Sequence, residues 1–313
     1  MRTMVTGGAG FVGSTLVDRL MAEGHEVDVV DDLTVGTLAH LAEARADRTR
    51  RFTFHRMDIR SPALVDLIAQ RRPSVIYHLA AQADARVSVT KPVLDAEVNI
   101  LGSLIVCQGA LAAGTRKVVF TTSGRALYGA AEEIPTREGH PHLPITPYGI
   151  SKKAAVDYLR FFREVHGLEF TALALASVYG PRQSPEGEAG VIATFARVLV
   201  ARESPTIIGS GAQTRDYVYV DDVVDAVVRA SERGDGLLVN VGTGVETTIE
   251  ELYRVMAQVT EHTGAPRRAP ARPGEVERSA LDPGRAEIHL GWRPWTTLAD
   301  GVAQTVEWFR SQR

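Results

Sequence analysis

The sequence predicts an α/β fold, in which a doubly wound parallel sheet with helices on both faces precedes a smaller C-terminal lobe. Apolar strand-like runs alternate with helical patterns through the first half of the 313 residues, and this alternation is typical of a parallel sheet. Right-handed crossovers favour the doubly wound arrangement. After Pro181, residues 183–190 (QSPEGEAG) read as a loop. We expect a sheet domain over 1–180 and a lobe over 181–313, with part of 215–245 crossing back to extend the sheet.

Apolar runs and amphipathic patterns give the elements in chain order. The sheet domain should contain strands at Arg2–Thr6, Glu26–Val30, Phe52–His55, Ser74–Leu79, Lys117–Thr121 and Glu169–Ala176. Its helices should cover Phe11–Glu23, Ser61–Arg71, about Val93–Ala113 and Pro147 to about His166. The lobe should contain a helix over about Val191–Ala201, a strand at Leu237–Val241, a helix from Thr248 and an amphipathic helix over about Leu298–Phe309.

Composition narrows the classes of partner. The net charge is −3, so no overall field favours nucleic acid or an anionic membrane. The single cysteine, Cys107, excludes an internal disulfide and lies in an apolar helical pattern, which indicates a buried thiol. A strand begins almost at the N-terminus, leaving no room for a signal peptide. No apolar run approaches the ~20 residues that a membrane span needs. We expect a cytoplasmic protein that binds neither membranes nor nucleic acid.

A glycine-rich turn lies between the first strand and the first helix. Residues 6–13 read TGGAGFVG, with Gly7, Gly10 and Gly13 in a G-x-x-G-x-x-G spacing. Such glycines permit a tight turn and close backbone approach to a pyrophosphate at a helix N-terminus. Asp31 follows the second strand, where an acid would meet ribose hydroxyls and repel a 2′-phosphate, so NAD is favoured over NADP.

Two further carboxylates are weaker candidates for the same cofactor. Asp32 can contact the ribose or be a solvated turn residue. Asp58, next to Ile59, can bind an adenine amine or cap the following helix, and Ser61 competes for that cap.

A second cluster of candidate residues points to proton transfer. Tyr148 and Lys152 in YGISK are four residues apart and share one helical face. An ammonium near a phenol favours the phenolate, so Tyr148 is a plausible general base and acid. Ser123 ends a strand at the edge where open α/β sheets bind ligands.

Together these segments resemble an extended short-chain dehydrogenase/reductase, the Rossmann-fold nucleotide-sugar epimerases of the UDP-glucose/UDP-galactose 4-epimerase type. The resemblance covers nearly the whole chain and rests on TGGAGFVG, DDLTVG (31–36), HLAAQ (78–82), TTSGRALYG (121–129), YGISK (148–152), VYGPRQ (178–183), GEAGVI (187–192), RDYVYVDDV (215–223) and RPGE (272–275). It implies a catalytic triad of Ser123, Tyr148 and Lys152. The cofactor residues that it implies, with the two triad residues Tyr148 and Lys152, are Gly7, Gly10, Phe11, Val12, Asp31, Asp32, Asp58, Ile59, Leu79, Ala80, Ala81, Gln82 and Asn99. The implied substrate residues are Arg86, Ser123, Gly124, Arg125, Ser177, Val191, Arg215 and Arg272.

The resemblance also implies a reaction and an assembly. Tyr148 would take the proton of the sugar 4-hydroxyl while Ser123 hydrogen-bonds the same oxygen. Hydride would pass from C4 to NAD, and the 4-keto sugar would turn over and receive hydride on its other face. No metal is needed. A homodimer is expected, packed through the helices at about 93–113 and 147–166.

Two departures from the family pattern bear on the substrate. Related dehydratases carry Asp-Glu where this chain has Gly124 and Arg125, and decarboxylases usually carry Glu there, so both chemistries are disfavoured. Ser177 replaces a usual asparagine. Arg125 can pair with Glu132 or Glu133, or it can meet a substrate carboxylate. The alternatives to a UDP-hexose 4-epimerase are therefore a UDP-glucuronate 4-epimerase and a catalytically silent NAD-binding protein of the same fold.

Overall fold

The structure is a computed structural model that describes residues 1–186, 190–271 and 276–312. Its central element is a parallel sheet. Its seven strands lie in the order β3-β2-β1-β4-β5-β6-β11. They are β1 (Arg2–Thr6), β2 (Glu26–Asp31), β3 (Phe52–Arg56), β4 (Val75–His78), β5 (Lys117–Ser123), β6 (Glu169–Leu175) and β11 (Leu237–Val241). The predicted doubly wound α/β fold is confirmed. The division of the chain at residue 180 stays a prediction.

Helices cover both faces of the sheet. They are α1 (Phe11–Ala22), α2 (Ala42–Ala46), α3 (Ala63–Arg71), α4 (Ala85–Thr90), α5 (Pro92–Ala96), α6 (Gly102–Ala113), α7 (Gly124–Tyr128), α8 (Pro147–His166), α9 (Val191–Val200), α10 (Val220–Ala230), α11 (Ile249–Thr260), α12 (Gly284–Leu290) and α13 (Leu298–Ser311), with a 3-10 turn at Leu38–Leu41 and a π turn at Glu97–Leu101. Met4 and Val5 on β1 belong to opposite core layers, because successive side chains of a strand point to opposite faces.

Helix α8, which carries Tyr148 and Lys152, has strong local start and stop signals. The Thr146 hydroxyl accepts a hydrogen bond from Gly149 N at 3.2 Å, and Pro147 occupies the first helical position. Gly167 ends the helix with a left-handed φ of 72°. These signals explain why the sequence places both ends correctly.

Short strands organise the C-terminal part. β7 (Ser177–Tyr179) pairs with β10 (Tyr217–Tyr219), β8 (Thr206–Ile208) with β13 (Arg267–Ala269), and β9 (Thr214–Arg215) with β12 (Thr247–Thr248). The sequence analysis does not predict these strands, since segments of two or three residues are too short to show a period. Strand β11 joins the main sheet beside β6.

The segment Pro92–Ala113 corrects one expectation. It forms 22 continuous helical residues that are long and apolar enough to cross a membrane by length and composition alone, whereas the sequence analysis expected no such run. Packing within the fold accounts for only part of this apolar character, since 39% of the apolar window is buried. Gly102 lies against Ile59, and Gly109 lies against Ile68 of α3, each so closely that an added Cβ would come within 2.7 Å of the isoleucine Cδ1.

Candidate active site

The glycine-rich turn joins β1 to α1 at the carboxyl edge of the sheet. Gly7 has a φ of +73°, and a Cβ there would lie 2.7 Å from Ala80 N. A Cβ at Gly13 would overlap the Gly7 carbonyl oxygen. Both positions therefore require glycine, one for its backbone conformation and both for close packing. Helix α1 starts at Gly10 without a side-chain cap, so its first N–H groups are available to a phosphate.

Asp31 is held beside this turn. Its carboxylate accepts hydrogen bonds from Ala9 N at 2.9 Å and Leu33 N at 2.8 Å. Burial raises the pKa of Asp31, and the two backbone N–H groups oppose that shift. One oxygen bonds the turn and the other bonds the chain after β2, so the carboxylate has a fixed position at which ribose hydroxyls can donate to its remaining lone pairs.

The other two acidic candidates are engaged locally. Asp32 is exposed and accepts from Thr34 N at 2.8 Å. Asp58 forms an ion pair with Arg60 at 2.6 Å, and hydrogen bonding to Arg60 lowers the pKa of Asp58. Ile59 is buried against Gly102. Contacts of Asp58 or Ile59 with an adenine stay predictions.

A cleft of about 390 Å³ brings the two predicted clusters together. Its lining residues are Gly7, Gly10, Phe11, Val12, Gly13, Leu79, Ala81, Ala83, Thr121, Thr122, Ser123, Tyr148, Lys152, Leu175, Ala176 and Val178. The sequence analysis did not name Ala83, Thr121, Thr122, Leu175, Ala176 or Val178 as site residues, although Thr121, Thr122 and Val178 lie in the TTSGRALYG and VYGPRQ motifs. The buried hydroxyl of Thr122, next to Ser123, has no hydrogen-bond partner in the described part of the chain.

The three triad candidates reach the cleft from two neighbouring elements. Ser123 ends β5 and caps α7, where its hydroxyl accepts from Ala126 N at 3.4 Å. Tyr148 and Lys152 lie in the first turns of α8. An added Cβ at Gly149 would overlap the Ala126 carbonyl oxygen, so this glycine lets α8 pack closely on α7 and brings Tyr148 beside the Ser123 segment.

Lys152 is an unusual buried cation. Its side chain is 2% exposed, and its Nζ lies 4.0 Å from the centroid of the Phe120 ring. Burial lowers the pKa of Lys152 to about 7, and the charge of Asp95 opposes this shift. Within residues 1–186, 190–271 and 276–312 the ammonium donates no hydrogen bond. Because Lys152 lines the cleft, its donors can reach a polar ligand bound there.

Asn99 and Gln82, two predicted cofactor residues, bind one another. Asn99 lies in the π turn, accepts from Gln82 N at 2.9 Å and donates to Gln82 O at 3.0 Å. Its amide also donates to Ser151 Oγ at 3.1 Å. This connects the loop after β4 to α8. Neither residue lines the cleft, and neither does Ala80, whose N–H donates to Thr6.

The predicted substrate residues beyond Ser123 that the structure describes, Arg86, Gly124, Arg125, Ser177, Val191 and Arg215, are outside the cleft lining. Arg86 pairs with Asp84 at 3.2 Å. Gly124 is buried against Leu281, and Arg125 is exposed. In the described residues Arg125 forms no ion pair, so the alternative in which it pairs with Glu132 or Glu133 is not observed. Half-buried Ser177 donates its N–H to Asp216 O at 2.8 Å, and half-buried Val191 begins α9.

Arg215 is 7% exposed and donates to Thr214 O at 2.7 Å. Arg272 lies outside the described residues, as do residues 187–189 of the GEAGVI motif. In the part of the chain that is described, no group of three or more His, Cys, Asp or Glu side chains could hold a metal ion.

Comparison with known proteins identifies the family. A family model described as GDP-mannose 4,6 dehydratase matches residues 4–305. The chain belongs to this family of extended short-chain dehydrogenases/reductases. It is 47% identical to a UDP-glucose 4-epimerase of Mycolicibacterium smegmatis, over 100% of this chain and 99% of that protein.

Two solved structures show how closely this family member follows known epimerases. A Thermotoga maritima UDP-glucose 4-epimerase with UDP-glucose has a TM-score of 0.95 at 41% identity, covering 100% of this chain and 99% of that one. A Thermus thermophilus UDP-glucose 4-epimerase in complex with NAD has a TM-score of 0.91 at 38% identity, covering 99% of both chains. The predicted membership of the nucleotide-sugar epimerase group is confirmed.

Proposed function

We propose that the protein is an isomerase, an NAD-dependent nucleotide-sugar 4-epimerase that interconverts UDP-glucose and UDP-galactose. The observation that supports this most is the meeting of Ser123, Tyr148 and Lys152 with the glycine-rich turn in one cleft of about 390 Å³. The family relatives named above, which match along their full length, support the same reaction class.

The residues of the cleft fit a dinucleotide. The backbone at Gly7, Gly10, Phe11 and Val12 would hold the pyrophosphate, because these residues line the cleft where α1 begins without a side-chain cap. Asp31 would accept from the ribose hydroxyls. When NAD is bound, it supplies a hydride acceptor and donor at C4 of the sugar. The same Asp31 carboxylate would repel a 2′-phosphate, which favours NAD over NADP.

Proton transfer is the task of the side chains. In this proposal Tyr148 as phenolate accepts the proton of the sugar 4-hydroxyl and later returns it. Ser123 hydrogen-bonds the same oxygen and orients it. The Lys152 ammonium stabilises the phenolate, since an opposite charge nearby favours the charged form. The face of the Phe120 ring, 4.0 Å from Lys152 Nζ, would favour the charged ammonium through a cation–π interaction.

The proposal is tested by turnover of UDP-glucose and of UDP-glucuronate, supplied separately, with chromatographic separation of the products. We expect UDP-galactose from UDP-glucose. Tyr148→Phe should lose at least ~10²-fold in kcat, since general acid–base catalysis contributes 10²–10⁴-fold. Tyr158→Phe, on the exposed side of the same helix, should retain activity. Unchanged turnover by Tyr148→Phe would contradict the mechanism. Absence of turnover by the wild type, with NAD still bound, would favour the catalytically silent alternative.

A UDP-glucuronate 4-epimerase is the second candidate, because of Arg125. This exposed guanidinium follows Ser123 by two residues and has no ion pair among the described residues. A substrate carboxylate could accept two hydrogen bonds from it. Arg125→Gln should then abolish turnover of UDP-glucuronate and leave that of UDP-glucose intact. Turnover of UDP-glucose alone by the wild type would exclude this candidate.

We also propose a homodimer. Two neighbouring helical segments expose large apolar side chains: Val93 and Leu101 on Pro92–Ala113, and Ile150, Phe161 and Val165 on α8. A second copy would cover this face in a four-helix interface. Light scattering should give twice the chain mass, and Phe161→Glu should give a monomer. Ile288→Glu, at a still more exposed apolar residue on α12, should not. A wild-type monomer would refute the proposal.

A cytoplasmic location stays a prediction.

A further inference from the structure

A buried carboxylate that the sequence analysis did not single out lies next to the catalytic helix. Asp95 on α5 is 1% exposed. Its Oδ1 accepts hydrogen bonds from Gln82 Nε2 at 3.2 Å and from Asn99 Nδ2 at 3.1 Å. Burial of a carboxylate is unfavourable unless donors or an opposite charge compensate for it. The two amide donors compensate in part, and Oδ2 has no hydrogen-bond partner in the described residues.

The opposite charge is Lys152. The amide of Asn99 that bonds Asp95 also donates to Ser151 Oγ, and Ser151 directly precedes Lys152 on α8. Burial raises the pKa of Asp95, and the neighbouring polar side chains together with the charge of Lys152 oppose this shift. In return, the charge of Asp95 raises the pKa of Lys152. Two hydrogen bonds of the Asn99 amide thus link the Asp95 carboxylate to Ser151, the residue before Lys152, and both Asp95 and Lys152 are buried.

Other charged groups near Lys152 do not take this role. His78 on β4 bonds Thr6 and Ser103, and burial lowers its pKa to about 3, so it is neutral at physiological pH. Asp84, which caps α4 beside α8, pairs with Arg86 at 3.2 Å. Arg125 on α7 is exposed. Among the described residues, Asp95 is the carboxylate whose charge acts on Lys152.

We propose that Asp95 is a positioning residue for proton transfer: its buried carboxylate keeps the Lys152 ammonium charged beside Tyr148. The inference rests on the proposed roles of Tyr148 and Lys152. Without the Asp95 charge, burial would remove the proton from Lys152 at a lower pH. Tyr148 would then lose its neighbouring cation, and a higher pH would be needed to form the phenolate. Asp95 takes no proton from the substrate.

Asp95→Asn tests this, because it removes the charge and keeps the size and one acceptor oxygen. The readout is the ultraviolet absorbance of ionised tyrosine during a pH titration of NAD-bound protein. The signal of Tyr148 is the difference between each protein and the same protein with Tyr148→Phe added. We expect the midpoint of tyrosine ionisation to rise by about one pH unit. The alkaline limb of kcat/KM should move to lower pH, with KM unchanged. Asp157→Asn, which removes an exposed carboxylate paired with Lys153 on the same helix, should shift neither.

A second variant separates the effect of the charge from that of hydrogen bonding. It also keeps the proposal testable if Asp95→Asn does not fold. Asp95→Glu keeps the charge and displaces it by one methylene, so its midpoint should stay near that of the wild type. An unshifted midpoint in folded Asp95→Asn, or an Asp95→Glu midpoint displaced by one unit, would overturn the proposal. The tyrosine titration needs no substrate, so failure of the epimerase assay and failure of this inference are distinguishable.

Discussion

The contact between Gly7 and Ala80 gives a sharp test of the cofactor turn. Gly7 and Gly114 have nearly the same left-handed φ, +73° and +68°. A Cβ added at Gly7 would lie 2.7 Å from Ala80 N, whereas a Cβ at Gly114 would meet nothing within 4 Å. Gly114→Ala is therefore a matched control that carries the same backbone strain without the close approach.

The expected magnitudes follow from these two terms. A left-handed alanine costs about 1–2 kcal/mol, and overpacking against backbone adds about 1–3 kcal/mol. With an unfolding entropy of about 2.1 cal/mol/K per residue, 1 kcal/mol shifts the melting temperature of a chain of this length by roughly 1.5 °C. Gly114→Ala should therefore lower the melting temperature by about 1.5–3 °C, and Gly7→Ala by about 3–7 °C.

Cofactor binding should separate the two variants further. Displacing the turn would misalign N–H donors to a phosphate, and one hydrogen bond to a charged group is worth about 1.5–3 kcal/mol. We expect Gly7→Ala to weaken NAD about 10- to 100-fold and Gly114→Ala to leave its affinity unchanged. Fluorescence titration with NADH and competition by NAD measure this. Equal melting temperatures for the two variants, or wild-type NAD affinity in Gly7→Ala, would refute the reasoning.

Two further predictions concern charged groups of the cleft. Asp31→Asn should weaken the affinity for NAD about tenfold and reduce discrimination against NADP, whereas Asp32→Asn, at an exposed turn, should change neither. Isothermal titration with both dinucleotides measures these affinities. An unchanged NADP affinity in Asp31→Asn would argue against the role of Asp31. Lys152→Met should abolish turnover yet raise the melting temperature of the cofactor-free protein at pH 7, because a buried ammonium is removed. The pKa of Lys152 is lowered to about 7 in the fold, so the unfolded chain binds more protons between pH 7 and its ordinary value near 10.4, and the wild type gains stability as pH rises through this window. The stability difference between wild type and Lys152→Met should thus narrow from pH 7 to pH 10, and a difference that widened would contradict the sign.

Sequence reasoning performs well where the signal is local. The bounds of β1, β11 and α8 agree with the prediction, and α1 ends one residue early. Turn glycines, a threonine cap followed by proline, and short β-branched runs act within a few residues, so their effect is readable without the fold. The same holds for the four-residue spacing of Tyr148 and Lys152, which places both on one helical face.

Long-range contacts are less accessible to the sequence. The π turn at Glu97–Leu101 leaves no periodic mark, and Asp95 looks like an ordinary polar residue until Asn99 and Ser151, 52 residues apart, are seen to bond. Whether Arg125 pairs with Glu132 or Glu133 likewise depends on the path of the chain between them, which the sequence does not give. The structure does not show this pairing in the described residues.

By itself, therefore, the sequence determined the fold class, the glycine turn with Asp31, and the candidate triad of Ser123, Tyr148 and Lys152. The tertiary structure alone decided that these residues line one cleft, that Lys152 is buried over Phe120, and that Asp95 is buried and hydrogen-bonded to Asn99. The physical reason is that local backbone preferences are encoded in neighbouring residues. Burial and electrostatics, in contrast, depend on which distant segments pack together, because the environment that shifts a pKa exists only in the folded chain.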